Sequence, residues 1–152
     1  VCTVSACRLT EGILSGVVLY GPKCRPTLRD NEVCRNRESG IFAFAGAQPY
    51  LRNNHCFENH HFGIAARDAG TRPDLIDNLC RANMLSGILL FHQAQALILN
   101  NVCRQNAHWG VVLTPDSQPV PKPEELPQSN TLQENPHGPL TITEEPLGEI
   151  GR

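Results

Sequence analysis

The sequence predicts an all-β fold: a right-handed parallel β-helix of about five rungs of 23–24 residues, with a proline-rich C-terminal tail or cap. Five glycines recur at successive spacings of 24, 23, 24 and 23 residues, namely Gly16, Gly40, Gly63, Gly87 and Gly110. Two asparagine columns accompany the last four glycines, nine and four residues before each. Apolar residues alternate with other residues after each glycine, which is typical of a strand with one buried face. Repeats of this period indicate a solenoid.

Each repeat unit predicts three short strands separated by turns, without room for a helix of ordinary length. The residues one position after the glycines are Val17, Ile41, Ile64, Ile88 and Val111, and those three positions after are Leu19, Ala43, Ala66, Leu90 and Leu113. These side chains are expected to point inward. Units stacked about 4.8 Å apart would pair every strand with its equivalents above and below.

The asparagine columns are interpreted as structural ladders inside the solenoid. They contain Asn31, Asn54, Asn78 and Asn101, and Asn36, Asn59, Asn83 and Asn106. Asparagine tolerates left-handed backbone conformations, and its amide both donates and accepts hydrogen bonds, so stacked copies can satisfy one another. Cys56, Cys80 and Cys103 share a further column and are interpreted as small buried hydrophobic residues.

The repeat pattern divides the chain into a β-helix over residues 1–114 and a proline-rich tail over 115–152. The first rung is degenerate, since Cys7 and Gly12 stand at the two asparagine positions. Asn130, Leu132 and Asn135 repeat the spacing of the body, which predicts an irregular capping rung at 128–142. Such a rung would protect the last strand edges from pairing with another chain. Residues 143–152 are expected to be mobile.

Composition argues against two classes of partner. Lys and Arg number 13 against 15 Asp and Glu, so no polybasic surface for nucleic acid or anionic membrane is expected. No apolar run approaches the roughly 18 residues of a membrane-spanning helix. The seven cysteines include no CxxC pair, which favours a reducing compartment. A cytoplasmic location is therefore expected, or a periplasmic or secreted one if the N-terminus is processed.

Three segments carry a family resemblance: PTLRDNEVCRNRESGI, PYLRNNHCFENHHFGI and PDLIDNLCRANMLSGI. They resemble the parallel β-helix repeat family, which includes the carbohydrate-binding and sugar-hydrolase (CASH) repeats and the NosD-like proteins. The β-helical part of F-box proteins is also similar. The resemblance implies the fold over about residues 4–114. It leaves the function open among sugar lyases, hydrolases, epimerases, copper-site maturation factors and recognition modules.

Candidate catalytic and metal-binding residues are few. Asp68 and His92 fall at the same offset in adjacent rungs, which would place them within about 5 Å of each other as an acid–base or metal pair. His60, His61 and His108 are a second candidate for metal binding. Exposed turn residues without a functional role are the alternative for both groups. No cofactor is expected, since no nucleotide-binding, serine-hydrolase or HExxH motif occurs.

The outward-facing positions after the glycines are unexpectedly apolar. They include seven candidate binding-face residues, Val18, Tyr20, Phe42, Phe44, Leu89, Phe91 and Val112. The tail could cover this stripe through Val120, Leu126 and Leu132, the stripe could mediate homo-oligomerisation, or it could bind a partner protein or a glycan. The expected function is a non-catalytic recognition or assembly module. The alternative is a polysaccharide-active lyase, hydrolase or epimerase.

Overall fold

The computed structural model describes residues 2–145, which form a β-solenoid of about five turns from eighteen strands, numbered β1–β18 in chain order. Sheet A contains, in spatial order, β1 (Thr3–Ser5), β4 (Thr27–Arg29), β7 (Tyr50–Arg52), β10 (Asp74–Ile76), β13 (Gln95–Leu99) and β16 (Gln118–Val120). Sheet B contains β2 (Arg8–Thr10), β5 (Glu32–Cys34), β8 (His55–Phe57), β11 (Leu79–Arg81), β14 (Val102–Arg104) and β17 (Thr131–Gln133). Sheet C contains β3 (Val17–Tyr20), β6 (Ile41–Phe44), β9 (Ile64–Arg67), β12 (Ile88–Phe91), β15 (Trp109–Leu113) and β18 (Gly138–Ile142).

Every strand pairs in parallel with its equivalent in the neighbouring rung, so the predicted parallel β-helix is confirmed. A rung is one triplet of strands. Five regular rungs, 1 to 5, begin at β1, β4, β7, β10 and β13, and an interrupted sixth rung begins at β16. The register places like residues opposite each other, as with Cys80 between Cys56 and Cys103. Among residues 2–145, none of the helices has the length and apolarity that a membrane-spanning helix requires.

The core is a set of inward-facing columns, one or two from each sheet. Sheet A supplies Leu28, Leu51, Leu75 and Ile98, and sheet C supplies the two apolar positions after each glycine. The glycines themselves lie where the chain passes close to the next rung. A Cβ on Gly87 would come within 2.7 Å of the Gly110 carbonyl oxygen and 2.8 Å of the Cys103 Sγ. Glycine recurs at this position because a side chain would overlap the backbone and cysteine of the following rung.

Both asparagine columns form continuous buried hydrogen-bond ladders, as predicted. The backbone N–H and Nδ2 of Asn59 both donate to Asn83 Oδ1 at 3.1 Å. Asn83 Nδ2 in turn donates to the Cys56 carbonyl oxygen at 3.1 Å and to Asn106 Oδ1 at 2.9 Å. In rung 1, the Cys7 and Gly12 backbone N–H groups donate to the first asparagine of each ladder. The ladders satisfy polar groups that would otherwise be buried without partners.

The sixth rung is interrupted between β16 and β17 by a 3-10 turn (Pro123–Glu125) and a short helix α1 (Leu126–Ser129). Asn130 and Asn135 accept the last hydrogen bonds of the two ladders. The Leu126 side chain is fully buried in the main core, and Leu132 joins the same cluster. Residues 143–152 were expected to be mobile, and those from 146 onward lie outside the described residues. The Thr143 N–H donates to the Leu113 carbonyl oxygen at 2.9 Å.

The three tail residues suggested as a cover for the apolar stripe, Val120, Leu126 and Leu132, lie elsewhere in the structure, so that alternative was wrong for these residues. Leu126 and Leu132 point into the end of the solenoid, because rung 6 needs apolar side chains to continue the interior columns. Val120 lies in β16 on sheet A and is 57% exposed. The stripe lies on the outer face of sheet C, and any cover that it has comes from other residues.

Candidate functional site

The outer face of sheet C is divided into a covered half and an uncovered half. Leu89, Phe91 and Val112, three of the seven candidate binding-face residues, are 1%, 2% and 3% exposed, so they are covered in the structure. Val18 and Tyr20 in rung 1 are 50% and 68% exposed. The accessible part of the predicted binding face is therefore confined to the N-terminal rungs.

The division follows from the residues that precede the glycines. In rungs 3 to 5, Phe62, Leu85 and Trp109 lie over the outer face and pack with the covered residues in one apolar cluster. The residues immediately before the first two glycines are Ser15 and Ser39, whose short side chains leave the neighbouring strands open. Sequence reasoning missed this cover because its members do not share one offset: Phe62 and Trp109 stand one residue before their glycines, whereas Leu85 stands two residues before Gly87.

The uncovered half carries an aromatic and cationic cluster, which we call the aromatic patch and define as Val18, Tyr20, Phe42, Phe44 and Arg67. Tyr20 packs edge-on against Phe44 with ring centroids 5.1 Å apart, and Phe42 stacks on Phe44 at 5.0 Å. Phe42 and Phe44 are half-buried. The register of sheet C places Tyr20 beside Phe44 and Val18 beside Phe42. The positions of the patch residues are thus fixed by strand pairing.

Arg67 closes one side of the aromatic patch. Its guanidinium carbon lies 5.4 Å from the centroid of the Phe42 ring and 5.0 Å from that of Phe44, within the range of cation–π attraction. Arg67 Nε is buried without a hydrogen-bond partner and lies 3.6 Å from Asp68 Oδ2. The arginine was not among the residues selected from the sequence, because its role depends on rings from a different rung.

Asp68 and His92, the candidate acid–base pair, make separate contacts in the structure. Asp68 Oδ2 accepts a hydrogen bond from the Ala45 N–H of the preceding rung at 3.0 Å, whereas His92 belongs to the following rung. The His92 ring packs on Phe91 with centroids 4.7 Å apart. Within the described range 2–145, no hydrogen bond or ion pair joins the two side chains. Both residues have positive φ, so they serve as turn residues.

His92 instead lines a small surface pocket with Asp116 and Glu144, two residues that sequence reasoning missed. Thr114 Oγ1 donates a hydrogen bond to Asp116 Oδ1 at 2.5 Å, which lowers the pKa of Asp116, as does the nearby His92 more weakly. Asp116 lies in the loop after β15, where the repeat pattern ends. Strand β16 continues the register of the repeat beyond Asp116, so counting from Gly110 would have placed it beside Gln93.

The histidines proposed as metal ligands are dispersed. His60 is exposed, and burial lowers the pKa of the half-buried His61. His108 contacts His137, with ring centroids 4.8 Å apart, and His137 also meets the Trp109 ring. In the part of the chain that the structure describes, no group of three or more His, Cys, Asp or Glu residues could hold a metal ion.

The column of Cys56, Cys80 and Cys103, called the thiol column below, lies entirely inside the core. All three side chains are 0% exposed. The hydrogen bond to Cys80 and the effect of burial both raise the pKa of Cys56 and of Cys103 well above the ordinary thiol value. The same hydrogen bonds, to Cys103 and Cys56, lower the pKa of Cys80, the middle thiol, to about 5. Because all three thiols are fully buried among core side chains, these cysteines act as packing residues.

Comparison with known proteins identifies the repeat. A family model described as a right handed beta helix region matches residues 1–136. Searches of curated proteins and of solved structures found no match.

Proposed function

Since the chain belongs to the right-handed β-helix family, we propose that it is a non-catalytic recognition module that binds a partner protein through the aromatic patch. The observation that carries this proposal is the uncovered half of sheet C, where Val18 and Tyr20 remain 50% and 68% exposed beside a fixed aromatic–arginine cluster. Tyrosine, phenylalanine and arginine are enriched at the centres of protein interfaces.

The surroundings of the aromatic patch favour a protein over a glycan. Ile13 and Leu14 are 74% and 56% exposed in the loop before β3. Leu14 occupies the same offset from its glycine as Leu85, which packs on the outer face of sheet C, so the repeat puts Leu14 in the turn that precedes the first patch strand. The Tyr20 hydroxyl and the Arg67 guanidinium are the polar groups among the five patch side chains. A sugar site would need several convergent hydrogen-bonding groups, whereas an apolar centre with a few polar groups fits a protein.

The polysaccharide-active alternative gains no support from the geometry of its candidate residues. The carboxylate of Asp68 is engaged by the preceding rung and by Arg67, so it is not directed toward His92. Paired carboxylates or a carboxylate–histidine pair around a substrate groove would be needed for glycoside cleavage. Recognition requires only the rigid outer face that the strands provide.

A site-specific photocrosslinking experiment tests the proposal. A photoreactive residue replaces Tyr20, which is 68% exposed, in one protein and, as a control, Val120 of sheet A, which is 57% exposed, in another. Each is irradiated in an extract of the cells that produce the protein. We expect one defined protein adduct from position 20 and none from position 120. Excess unlabelled chain should abolish the adduct, whereas the Phe44→Ala variant, with an unchanged circular dichroism spectrum, should compete at least about tenfold less well.

Three results would contradict the proposal. Equal adducts from both positions would show nonspecific capture, and full competition by Phe44→Ala would exclude the aromatic patch. Binding to a glycan array that depends on Phe44, without a protein adduct, would identify a glycan partner instead. Depolymerisation of a polysaccharide by the purified chain, lost in Asp68→Asn or His92→Gln, would establish the enzymatic alternative.

A further inference from the structure

The outer face of sheet B carries two neighbouring arginines for which residues 2–145 supply no acidic partner. Arg81 in β11 and Arg104 in β14 stand directly opposite each other in the parallel register. Neighbouring strands lie only about 4.8 Å apart, and like charges opposite each other on adjacent strands are unfavourable. The ion pairs within the same range all involve other arginines. The two guanidinium groups therefore concentrate positive charge in the middle of this face.

Arg81 is held in position by two residues of the preceding rung. Its Nε donates a hydrogen bond to His55 Nε2 at 2.9 Å, and its guanidinium carbon lies 4.9 Å from the centroid of the Phe57 ring. The rings of His55 and Phe57 are themselves in contact, with centroids 4.2 Å apart. Among the described residues, Nε is the only guanidinium nitrogen of Arg81 that has a hydrogen-bond partner. Its two terminal nitrogens are thus oriented by this contact and available to a ligand.

His55 adds a titratable group to the same surface. Its Nε2 accepts the hydrogen bond from Arg81, so the ring is in its neutral form. Burial and the charge of Arg81 are the main causes that lower the pKa of His55; Arg104 also lowers it, and the carboxylates of Glu32 and Glu58 oppose the shift. The influence of Arg104 on the histidine shows that all three groups belong to one region of the face.

The two carboxylates that act on the histidine are already engaged by other cations. Glu32 Oε2 lies 3.4 Å from Arg8 Nη1, and Glu58 Oε2 accepts a hydrogen bond from Arg35 Nε at 2.9 Å. Beyond the arginine pair, β17 continues the column with the uncharged Gln133. The positive charges of the arginine pair are therefore not balanced locally, and a protonated histidine would add a third.

We propose that His55, Arg81 and Arg104 form a binding site, called the cationic site below, for a doubly charged tetrahedral oxyanion, the chemistry of a phosphate or sulfate group. Guanidinium N–H groups match the oxygens of such a group, and two neighbouring arginines can bind it together. The ligand would relieve the repulsion between the arginines. The cationic site lies on sheet B and the aromatic patch on sheet C, so the two surfaces can act independently.

Binding at the cationic site should be coupled to the uptake of a proton. A nearby dianion favours the imidazolium form of His55, and protonation turns Nε2 from an acceptor for Arg81 into a donor to the anion. Affinity should therefore rise as pH falls through the range in which the histidine titrates. Sulfate is the suitable probe because it stays a dianion throughout, whereas a phosphate group itself takes up a proton at about pH 6.

Titration of the complete chain with sodium sulfate tests the proposal, at constant ionic strength and followed by the NMR signals of the His55 ring and of the arginine Nε–H groups. We expect saturation with a dissociation constant of about 1 mM, and affinity at least about fivefold higher at about pH 5.5 than at about pH 8. Arg104→Gln should weaken binding at least about tenfold, and His55→Gln should remove the pH dependence. Arg72→Gln removes the same charge from an exposed position outside sheet B and should leave the affinity unchanged. Acetate, with a single charge, should bind at least about tenfold more weakly than sulfate.

Four results would overturn the proposal, provided that each variant keeps the circular dichroism spectrum of the wild type. Shifts that do not saturate, or that are the same size in Arg104→Gln, would show that the arginine pair holds no anion. An equal loss in Arg72→Gln would indicate a general effect of net charge. Acetate binding as tight as that of sulfate would exclude a doubly charged ligand. Affinity that does not change with pH in the wild type would exclude His55 from the site.

Discussion

Replacement of Asn83 by alanine should cost the protein about 4 kcal/mol of its free energy of unfolding. Asn83 is 1% exposed and its side chain takes part in four hydrogen bonds, two accepted from Asn59 and two donated, to Cys56 and Asn106. Each such bond contributes a net of about 1 kcal/mol. The substitution also leaves the Asn59 backbone N–H buried without an acceptor, so the estimate is not an upper limit.

Asn53→Ala is the matched control. Asn53 is an exposed asparagine in the same rung as Asn59, the residue that donates to Asn83. Its side chain makes one exposed hydrogen bond, from Nδ2 to Asp30 Oδ1 at 2.8 Å, and its φ is +53°. Loss of that bond and the mild strain of alanine in a left-handed conformation should cost about 1 kcal/mol. The difference between the free energies of unfolding of the two variants isolates the contribution of the buried ladder.

Urea unfolding followed by far-UV circular dichroism and by fluorescence of Trp109, the single tryptophan, measures both variants. Two probes are needed because a solenoid can unfold one part at a time. We expect the Asn83→Ala midpoint to fall well below that of Asn53→Ala with both probes. If the two variants are equally stable, the ladder does not hold the rungs together and the reasoning is refuted.

Three further predictions concern other parts of the solenoid. Gly87→Ala should destabilise the fold by about 3 kcal/mol, since overpacking typically costs 1–3 kcal/mol and the added Cβ would meet a backbone oxygen at 2.7 Å; an unchanged melting temperature would contradict this. In a chromogenic thiol assay, the exposed Cys2 and Cys7 should react at once and the thiol column only after unfolding. Burial and the neighbouring Arg81 guanidinium lower the pKa of His55, so the unfolded chain binds its proton first and stability should fall as pH falls through about 6.5. The slope of stability against pH should flatten in His55→Gln.

The interior of the solenoid could be predicted because stacking brings equivalent residues into contact. A side chain such as Cys80 meets Cys56 and Cys103 whatever the rest of the sequence does, since the register is fixed by the glycines. The same logic predicted the asparagine ladders and placed Cys7 and Gly12 at the asparagine positions of the degenerate first rung. The spacing of the repeated residues was therefore sufficient to predict the fold.

The outer face was harder to predict because exposure depends on side-chain size in a neighbouring turn. Leu89 and Phe42 occupy the same column, but Leu89 is covered by the cluster of Phe62, Leu85 and Trp109, and Phe42 only partly. Asp68 illustrates a second limit. Its offset placed it beside His92, whereas the direction of its carboxylate is set by the turn conformation and the Ala45 N–H.

The central claim is that sheet C presents an open aromatic patch beside a covered apolar cluster. Proton NMR with a soluble paramagnetic agent measures this directly, since relaxation reports how closely solvent approaches each side chain. The structure predicts strong attenuation for Val18 and Tyr20, which are 50% and 68% exposed, and protection for Leu89 and Val112, at 1% and 3%. Equal attenuation of all four residues, or protection of Val18 and Tyr20, would contradict the claim and remove the basis for the proposed binding surface.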